Sequence, residues 1–218
     1  EIVEREFGKA NLSLETGRLA RQANGSVLVR YGDTMVLVAA TAAPGSGAGA
    51  DFFPLSVFYV EKAYAAGRIP GGFFKREARL SDSETLISRI IDRPLRPSFH
   101  ENYLAETLIV ATVLSHDLEF PSDVAAMIGA SAALSVSDIP LLQPIGGIRV
   151  GMIDGEFITN PNPEEITNSQ MNIFMAGSRD AILMVEGEAN EVSESVMLDA
   201  LWYGHEKIQP IIDMQEEL

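Results

Sequence analysis

The sequence predicts an α+β fold, with a mixed sheet built of hairpins and helices packed against it. Three observations lead there. Strand-like runs come in pairs around short turn signals, at residues 27–30 with 35–40, 148–153 with 156–159, and 172–176 with 181–185. Helical signals fall between those pairs. No regular alternation of strand and helix runs through the chain, which argues against a parallel βαβ repeat.

The elements follow in order. Residues 27–30 and 35–40 flank Tyr31, Gly32, Asp33 and Thr34, a turn signal, and the second run is nearly all apolar, so it belongs at the centre of a sheet. Residues 41–51 (TAAPGSGAGAD) read as a loop. Its glycines resemble a phosphate cradle but lack the Lys-Ser/Thr ending, and a strand rather than a helix follows, so a hairpin loop fits better. A strand over 52–60 carries Pro54 near its start, which suits an edge. Ser81 and Glu84 form a capping box that opens a helix, with Leu86, Ile87, Ile90 and Ile91 as its apolar stripe. Pro94 disfavours α geometry at Arg93, so the helix is expected to stop there. Residues 106–115 (ETLIVATVLS) read as a buried strand. Pro121, Ser122 and Asp123 open a helix of small residues that can lie close to a sheet. Asp154-Gly155 is a preferred hairpin turn. The C-terminal helix is expected near 190–217, with Pro210 as the place for a bend. The elements read as one domain over 1–218, with no strong internal repeat.

Bulk composition sets limits. The 218 residues are 46% hydrophobic, enough for a full core, and contain no cysteine, which removes disulfides, thiolate metal sites and Cys nucleophiles. No apolar run is long enough to cross a bilayer, and the opening EIVEREFGKAN is not a signal peptide. Together these lead us to expect a cytoplasmic protein with no membrane partner. The strand-like opening and the acidic end QEEL read as cuts through something longer.

Charge is unevenly placed. The chain carries −15, yet residues 62–100 hold Lys62, Arg68, Lys75, Arg76, Arg79, Arg89, Arg93 and Arg96 against Glu77, Asp82, Glu84 and Asp92. A cationic segment on an acidic body points to a polyanion held at one place. Phe73 and Phe74 beside Lys75 and Arg76 have the composition of a single-strand grip, in which bases stack on rings and cations follow the backbone. Arg89 and Arg93 share a helix face and Arg96 follows, candidates for binding a second anion. A bland reading stands beside these: the two phenylalanines belong to the core and the arginines pair with Asp82, Glu84 and Asp92. His100, His116 and His205 are widely spaced and match no metal pattern. No catalytic Ser/His/Asp set can be assigned.

The string GGFFKREARLSDSETLISRIIDRPLRPSF at 71–99 resembles the first ribonuclease-PH-like domain of bacterial polynucleotide phosphorylases. The family's loop of two aromatics and two basics is Phe73, Phe74, Lys75 and Arg76, and its SRxIDRPxRPxF string is residues 88–99. The resemblance continues at 17–37, 125–140, 144–151 and 176–188, essentially the whole chain. It implies a ribonuclease-PH-like (ribosomal protein S5 domain 2-like) fold. It also implies a nucleotidyltransferase that degrades RNA 3′→5′ by phosphorolysis, releasing nucleoside diphosphates in mRNA turnover. The full enzyme would use Mg²⁺ and inorganic phosphate, with no cofactor held by this segment. The implied partners are single-stranded RNA, two further copies in a homotrimer, a second ribonuclease-PH-like domain and other proteins of an RNA-degradation complex. The RNA-contacting set would be Phe73, Phe74, Lys75, Arg76 and Arg79, with Arg89, Arg93 and Arg96 as candidate anion ligands.

The catalytic pattern of the second domain is not matched. Its paired serines for phosphate read Ser122-Asp123 here, and a carboxylate there would repel phosphate. Its Asp-x-Lys reads Asn172-Ile173-Phe174. The expectation is a domain that guides RNA and builds the ring, with no catalytic or metal residue of its own. Two alternatives remain: a self-sufficient metal-dependent phosphorolytic nuclease acting through Glu164, Glu165 or Asp123, and a purely structural assembly domain.

Overall fold

The computed structural model describes residues 1–45, 51–71, 76–77 and 79–218. Ten described strands form two sheets. Strands β1 (Ile2–Phe7), β2 (Ala10–Thr16), β3 (Gly25–Tyr31), β4 (Thr34–Ala42), β5 (Leu55–Glu61) and β6 (Thr107–Ser115) make a mixed sheet in the order β1-β2-β3-β4-β6-β5. All its pairs are antiparallel except β5 with β6. Strands β7 (Gly146–Ile153), β8 (Glu156–Thr159), β9 (Met171–Gly177) and β10 (Ile182–Ala189) form an antiparallel sheet in the order β10-β9-β7-β8. Four α-helices among the described residues accompany them: α1 (Asp82–Leu95), α2 (Ser122–Ser135), α3 (Pro163–Asn168) and α4 (Glu194–Glu217).

The α+β class and the mixed sheet of hairpins are as the sequence indicates. The apolar run of β4 lies inside its sheet, between β3 and β6. The β7–β8 turn has Asp154 at φ 52° and Gly155 at φ 82°, the positive pair that a two-residue hairpin of matching twist requires. Helix α2 lies between the sheets, and every residue from Ser122 to Leu134 is buried. That burial explains its run of alanines and glycine. A Cβ on Gly129 would stand 2.6 Å from Val38 Cγ2 and 2.8 Å from Val29 Cγ2, so only glycine allows this approach. One buried cluster joins side chains of both sheets through α2, from Leu14 and Val38 to Ile148 and Met175.

Three boundaries differ from the sequence reading, each for a local reason. Strand β5 starts at Leu55, just after Pro54, and it is the edge strand that Pro54 suggested. Helix α4 starts at Glu194 because Ser193 caps it, accepting from the Val196 N–H, and β10 runs on to Ala189. Helix α1 does not stop at Arg93. It passes through Pro94 to Leu95 and continues as a 3-10 turn over Arg96–Ser98, because Pro94 and Leu95 are buried in the core. A proline in the last turn forfeits one hydrogen bond, which that packing offsets.

The inner face of α1 also differs. Leu86 is exposed, Ile87 and Ile90 are half-buried, and the face turned inward is Glu84, Ser88, Ile91 and Leu95. The reason lies in β5. Its outer edge has no neighbour among the described strands, so two backbone donors need acceptors. Ser88 Oγ accepts from Tyr59 N at 2.9 Å, and Glu84 Oε1 accepts from Glu61 N at 2.7 Å. The helix covers the edge with polar atoms at the spacing the strand presents.

Candidate functional site

Of the proposed RNA-contacting residues, Phe73, Phe74 and Lys75 lie outside the described residues. Arg76 and Arg79 are exposed and have no acid partner among the described residues. The same holds for Arg68 and Arg89. Among the remaining described cations, only Arg21 and Lys207 share that condition, and Lys207 sits over the Tyr203 ring at 5.4 Å. Uncompensated cations therefore gather in the segment whose composition first marked it.

The three candidate anion ligands do not behave alike. Arg96 pairs with Asp92 at 2.7 Å, donates to the carbonyls of Phe53 and Leu55, and lies over the Phe53 ring at 5.8 Å. Arg93 reaches β10 and pairs with Glu186 at 2.8 Å. Among the described residues, Arg89 alone of the three is left without an acid. Of the acids named in the bland reading, Asp92 takes Arg96, while Glu84 is turned to β5 and the α1 cap. Burial pushes the Glu84 carboxyl up. Hydrogen bonds from Ser81 and the Glu61 N–H, with the Lys62 charge, outweigh it and hold the group below its ordinary range.

A second place matters more for chemistry. A cleft of about 260 Å³ opens where α2 begins, bounded by β7, β9, the 116–121 loop and α3. Ser122 and the sequence departures at Asp123 and Asn172 all line it. Between them stands Arg149, at the middle of β7. Its Nε and Nη2 both donate to Asp123 Oδ2, and its Nη1 donates to Asn172 Oδ1 at 2.9 Å. Its guanidinium lies over the Phe174 ring at 5.4 Å, and strand register sets Arg149 opposite Phe174. The Asp123 side chain is 7% exposed and that of Arg149 is 20% exposed. Ser122 Oγ is engaged as well, 2.8 Å from the Tyr59 hydroxyl, which also donates to Glu61 Oε1. Burial pushes the Tyr59 phenol far up, keeping it a neutral donor.

Sequence reasoning found Asp123, Asn172 and Phe174 but missed Arg149. The signal was present. In GGIRVGMI it is the one charged residue of a strand otherwise apolar or small on both faces.

These residues do not fit Mg²⁺. The cleft centre holds a guanidinium, its near carboxylate is engaged by that guanidinium, and Asn172 offers a neutral amide. Glu164 is exposed, and Glu165 caps α3 and pairs with Lys9. Burial pushes the Glu165 carboxyl up, and Lys9 with the Asn162 N–H more than reverses this. Among the described residues no group of three His, Asp or Glu could hold a metal. His100, His116 and His205 stand apart; His116 N donates to Ala65 O, and His205 Nε2 meets Ser178 O at 3.0 Å.

Comparison with known proteins agrees with this architecture. Residues 10–140 match the family model described as "3' exoribonuclease family, domain 1", and residues 143–207 match "3' exoribonuclease family, domain 2". The break between them falls after α2 and before β7. Among curated relatives, the polyribonucleotide nucleotidyltransferase of Geotalea uraniireducens is 56% identical over 216 residues, covering 99% of this chain and 31% of that protein. Those of Pelobacter propionicus and Geobacter sulfurreducens are each 55% identical, covering 100% and 98% of this chain and 31% of each relative. The chain thus spans about a third of the length of the curated relatives it matches. The crystal structure of rice (Oryza sativa) Rrp46 superposes with a TM-score of 0.74 at 20% identity, over 97% of this chain and 94% of that one, which establishes a shared fold. The chain belongs to the 3′ exoribonuclease family, as a ribonuclease-PH-like domain of the polyribonucleotide nucleotidyltransferase kind.

Proposed function

We propose that this domain holds and guides single-stranded RNA in a phosphorolytic 3′→5′ exoribonuclease and helps to build its ring, while bond cleavage takes place in another domain. The observation that carries this reading is the Asp123–Arg149 pair at the centre of the cleft. Phosphorolysis needs a bound phosphate and a cation that stabilises developing charge. Here the Asp123 carboxylate stands at the helix start where a phosphate would bind, and Arg149, the cation of the cleft, is already paired with it. The uncompensated Arg76, Arg79 and Arg89 support an RNA-holding role.

In this reading residues 1–218 are one domain. Phe73, Phe74, Lys75, Arg76 and Arg79 contact RNA, Arg89 with Arg93 and Arg96 borders a second anion position, and Arg96 is mainly structural. The full enzyme works in the cytoplasm as a homotrimer, with Mg²⁺ and phosphate used by a second ribonuclease-PH-like domain. No helix among the described residues is long and apolar enough to cross a membrane.

Two measurements test it. The 218-residue chain, given poly(A) and inorganic phosphate, should release no ADP; release abolished by replacing Asp123, Glu164 or Glu165 would overturn the reading. Lys75→Ala with Arg76→Ala should weaken binding of single-stranded RNA and make the salt dependence shallower by about 0.7 per lost phosphate contact. Unchanged affinity with altered assembly would make the domain purely structural.

A further inference from the structure

We propose that Tyr64 and Arg68 form a second contact for single-stranded RNA: a ring on which one base stacks, and a guanidinium for a neighbouring phosphate. The inference rests on the RNA-guiding reading and extends it to residues outside the aromatic-basic loop.

The backbone here is locked. Residues Ala63–Ala66 form a 3-10 turn closed by Gly67 at φ 65°. Gly67 N donates to Tyr64 O and Arg68 N to Ala63 O, each at 2.9 Å, so the chain folds Arg68 back onto the turn that carries Tyr64. His116 N donates to Ala65 O at 3.1 Å and ties the turn to the end of β6. On this anchored turn Tyr64 is 57% exposed, and Ile69 just beyond it is 92% exposed. A solvent-facing ring on an anchored backbone loses less freedom when a base stacks on it than one whose backbone must also be ordered.

The charges point the same way. Arg68 lines a cleft of about 320 Å³ with Glu61, Lys62, Glu77 and His116. Both acids are engaged by other groups. Glu77 Oε1 accepts from Ala63 N at 2.6 Å and its Oε2 faces Lys62 Nζ at 3.8 Å, while Glu61 Oε1 accepts from the Tyr59 hydroxyl. Arg68 is left with no acid partner among the described residues. In sequence Arg68 stands five residues before Phe73, and the acidic body repels an RNA strand from most other directions. An exposed ring and a cation with no acid partner among the described residues, four residues apart on one hydrogen-bonded turn, match the repeating unit of RNA: a flat base, then a phosphate.

The test uses the 218-residue chain and a short fluorescein-labelled oligo(A), read by anisotropy across a salt series. Tyr64→Leu should weaken binding about tenfold with the salt slope unchanged, and Tyr64→Phe should retain affinity because the ring remains. Arg68→Gln should flatten the slope by about 0.7. Lys75→Ala with Arg76→Ala serves as the parent control. If that control weakens binding while Tyr64→Leu and Arg68→Gln leave affinity and slope unchanged, this inference is overturned and the RNA-guiding reading stands. If the control is also without effect, both fall. Loss with Tyr64→Phe equal to that with Tyr64→Leu rules out stacking. A change in sedimentation with RNA affinity intact would make the turn a protein contact, and overturns the inference as well.

Discussion

Arg149→Met is the substitution whose outcome the structure determines most sharply. It removes three donors at once: two to Asp123 and one to Asn172. It leaves the Asp123 carboxylate with one hydrogen bond, from Val124 N at 2.8 Å, in a site where its side chain is only 7% exposed. Breaking a buried pair by deleting one partner costs about 3–5 kcal/mol. The Arg149 side chain is 20% exposed on the cleft, so water reaches the stranded carboxylate and the cost belongs at the lower end, about 3 kcal/mol. For a chain of this size that lowers Tm by about 6–12 °C. Methionine keeps most of the stem volume and its contact with Phe174, which isolates the charge from the packing.

The double variant supplies the check. Asp123→Asn with Arg149→Met removes both charges, so its loss should be near 1 kcal/mol and below the sum of the two single losses. Urea unfolding of the four proteins, followed by far-ultraviolet circular dichroism, gives the cycle. An Arg149→Met loss under about 0.5 kcal/mol, or strict additivity, would refute the claim that this ion pair organises the cleft.

Three further outcomes follow from other parts of the molecule. Glu84→Gln should cost about 1 kcal/mol at neutral pH. Because the folded carboxyl is held below its ordinary value near 4.5, that difference should persist above this pH and shrink as pH falls through the folded value; a loss that grows in acid would contradict it. Ser88→Ala strips the acceptor from Tyr59 N and should cost about 1–3 kcal/mol, with faster hydrogen exchange at the Tyr59 amide as its specific mark. Millimolar Mg²⁺ should leave the Tm of the wild-type chain where EDTA leaves it at matched ionic strength; a rise lost on replacing Asp123 would reveal a metal centre in the cleft.

Periodicity was enough for the strand pairs and their turns, because alternation and turn chemistry act within a few residues. Asp154-Gly155 and the β3–β4 hairpin are cases. The inner face of α1 was not legible, because Glu84 and Ser88 point inward to serve donors on a strand more than twenty residues away. A helix-wheel argument scores them as polar and turns them outward. The continuation of α1 past Pro94 was hidden for a similar reason: the burial of Leu95 is a tertiary fact. At the site, identities were readable and relations were not. Asp123 and Asn172 could be named as departures, but the residue that joins them comes from a strand between them in sequence.

That joining residue explains why the two departures belong together. Asp123 lies in the first turn of α2, where unpaired backbone N–H groups and the helix dipole favour negative charge. A carboxylate there supplies from within the chain the charge that a bound anion would otherwise bring. Once that charge is internal and buried, it needs a cation, and Arg149 provides it with a planar fork whose third donor needs an acceptor rather than a second full charge. Asn172 Oδ1 is such an acceptor at 2.9 Å. Placing a carboxylate at 172 alone would therefore not create a metal site, because Arg149 would pair with it; the guanidinium has to go first. The single variant Asn172→Asp and the pair Asn172→Asp with Arg149→Met should differ in Mn²⁺ affinity by electron paramagnetic resonance, with measurable binding in the pair only. Equal binding by both would mean that Arg149 does not guard the cleft.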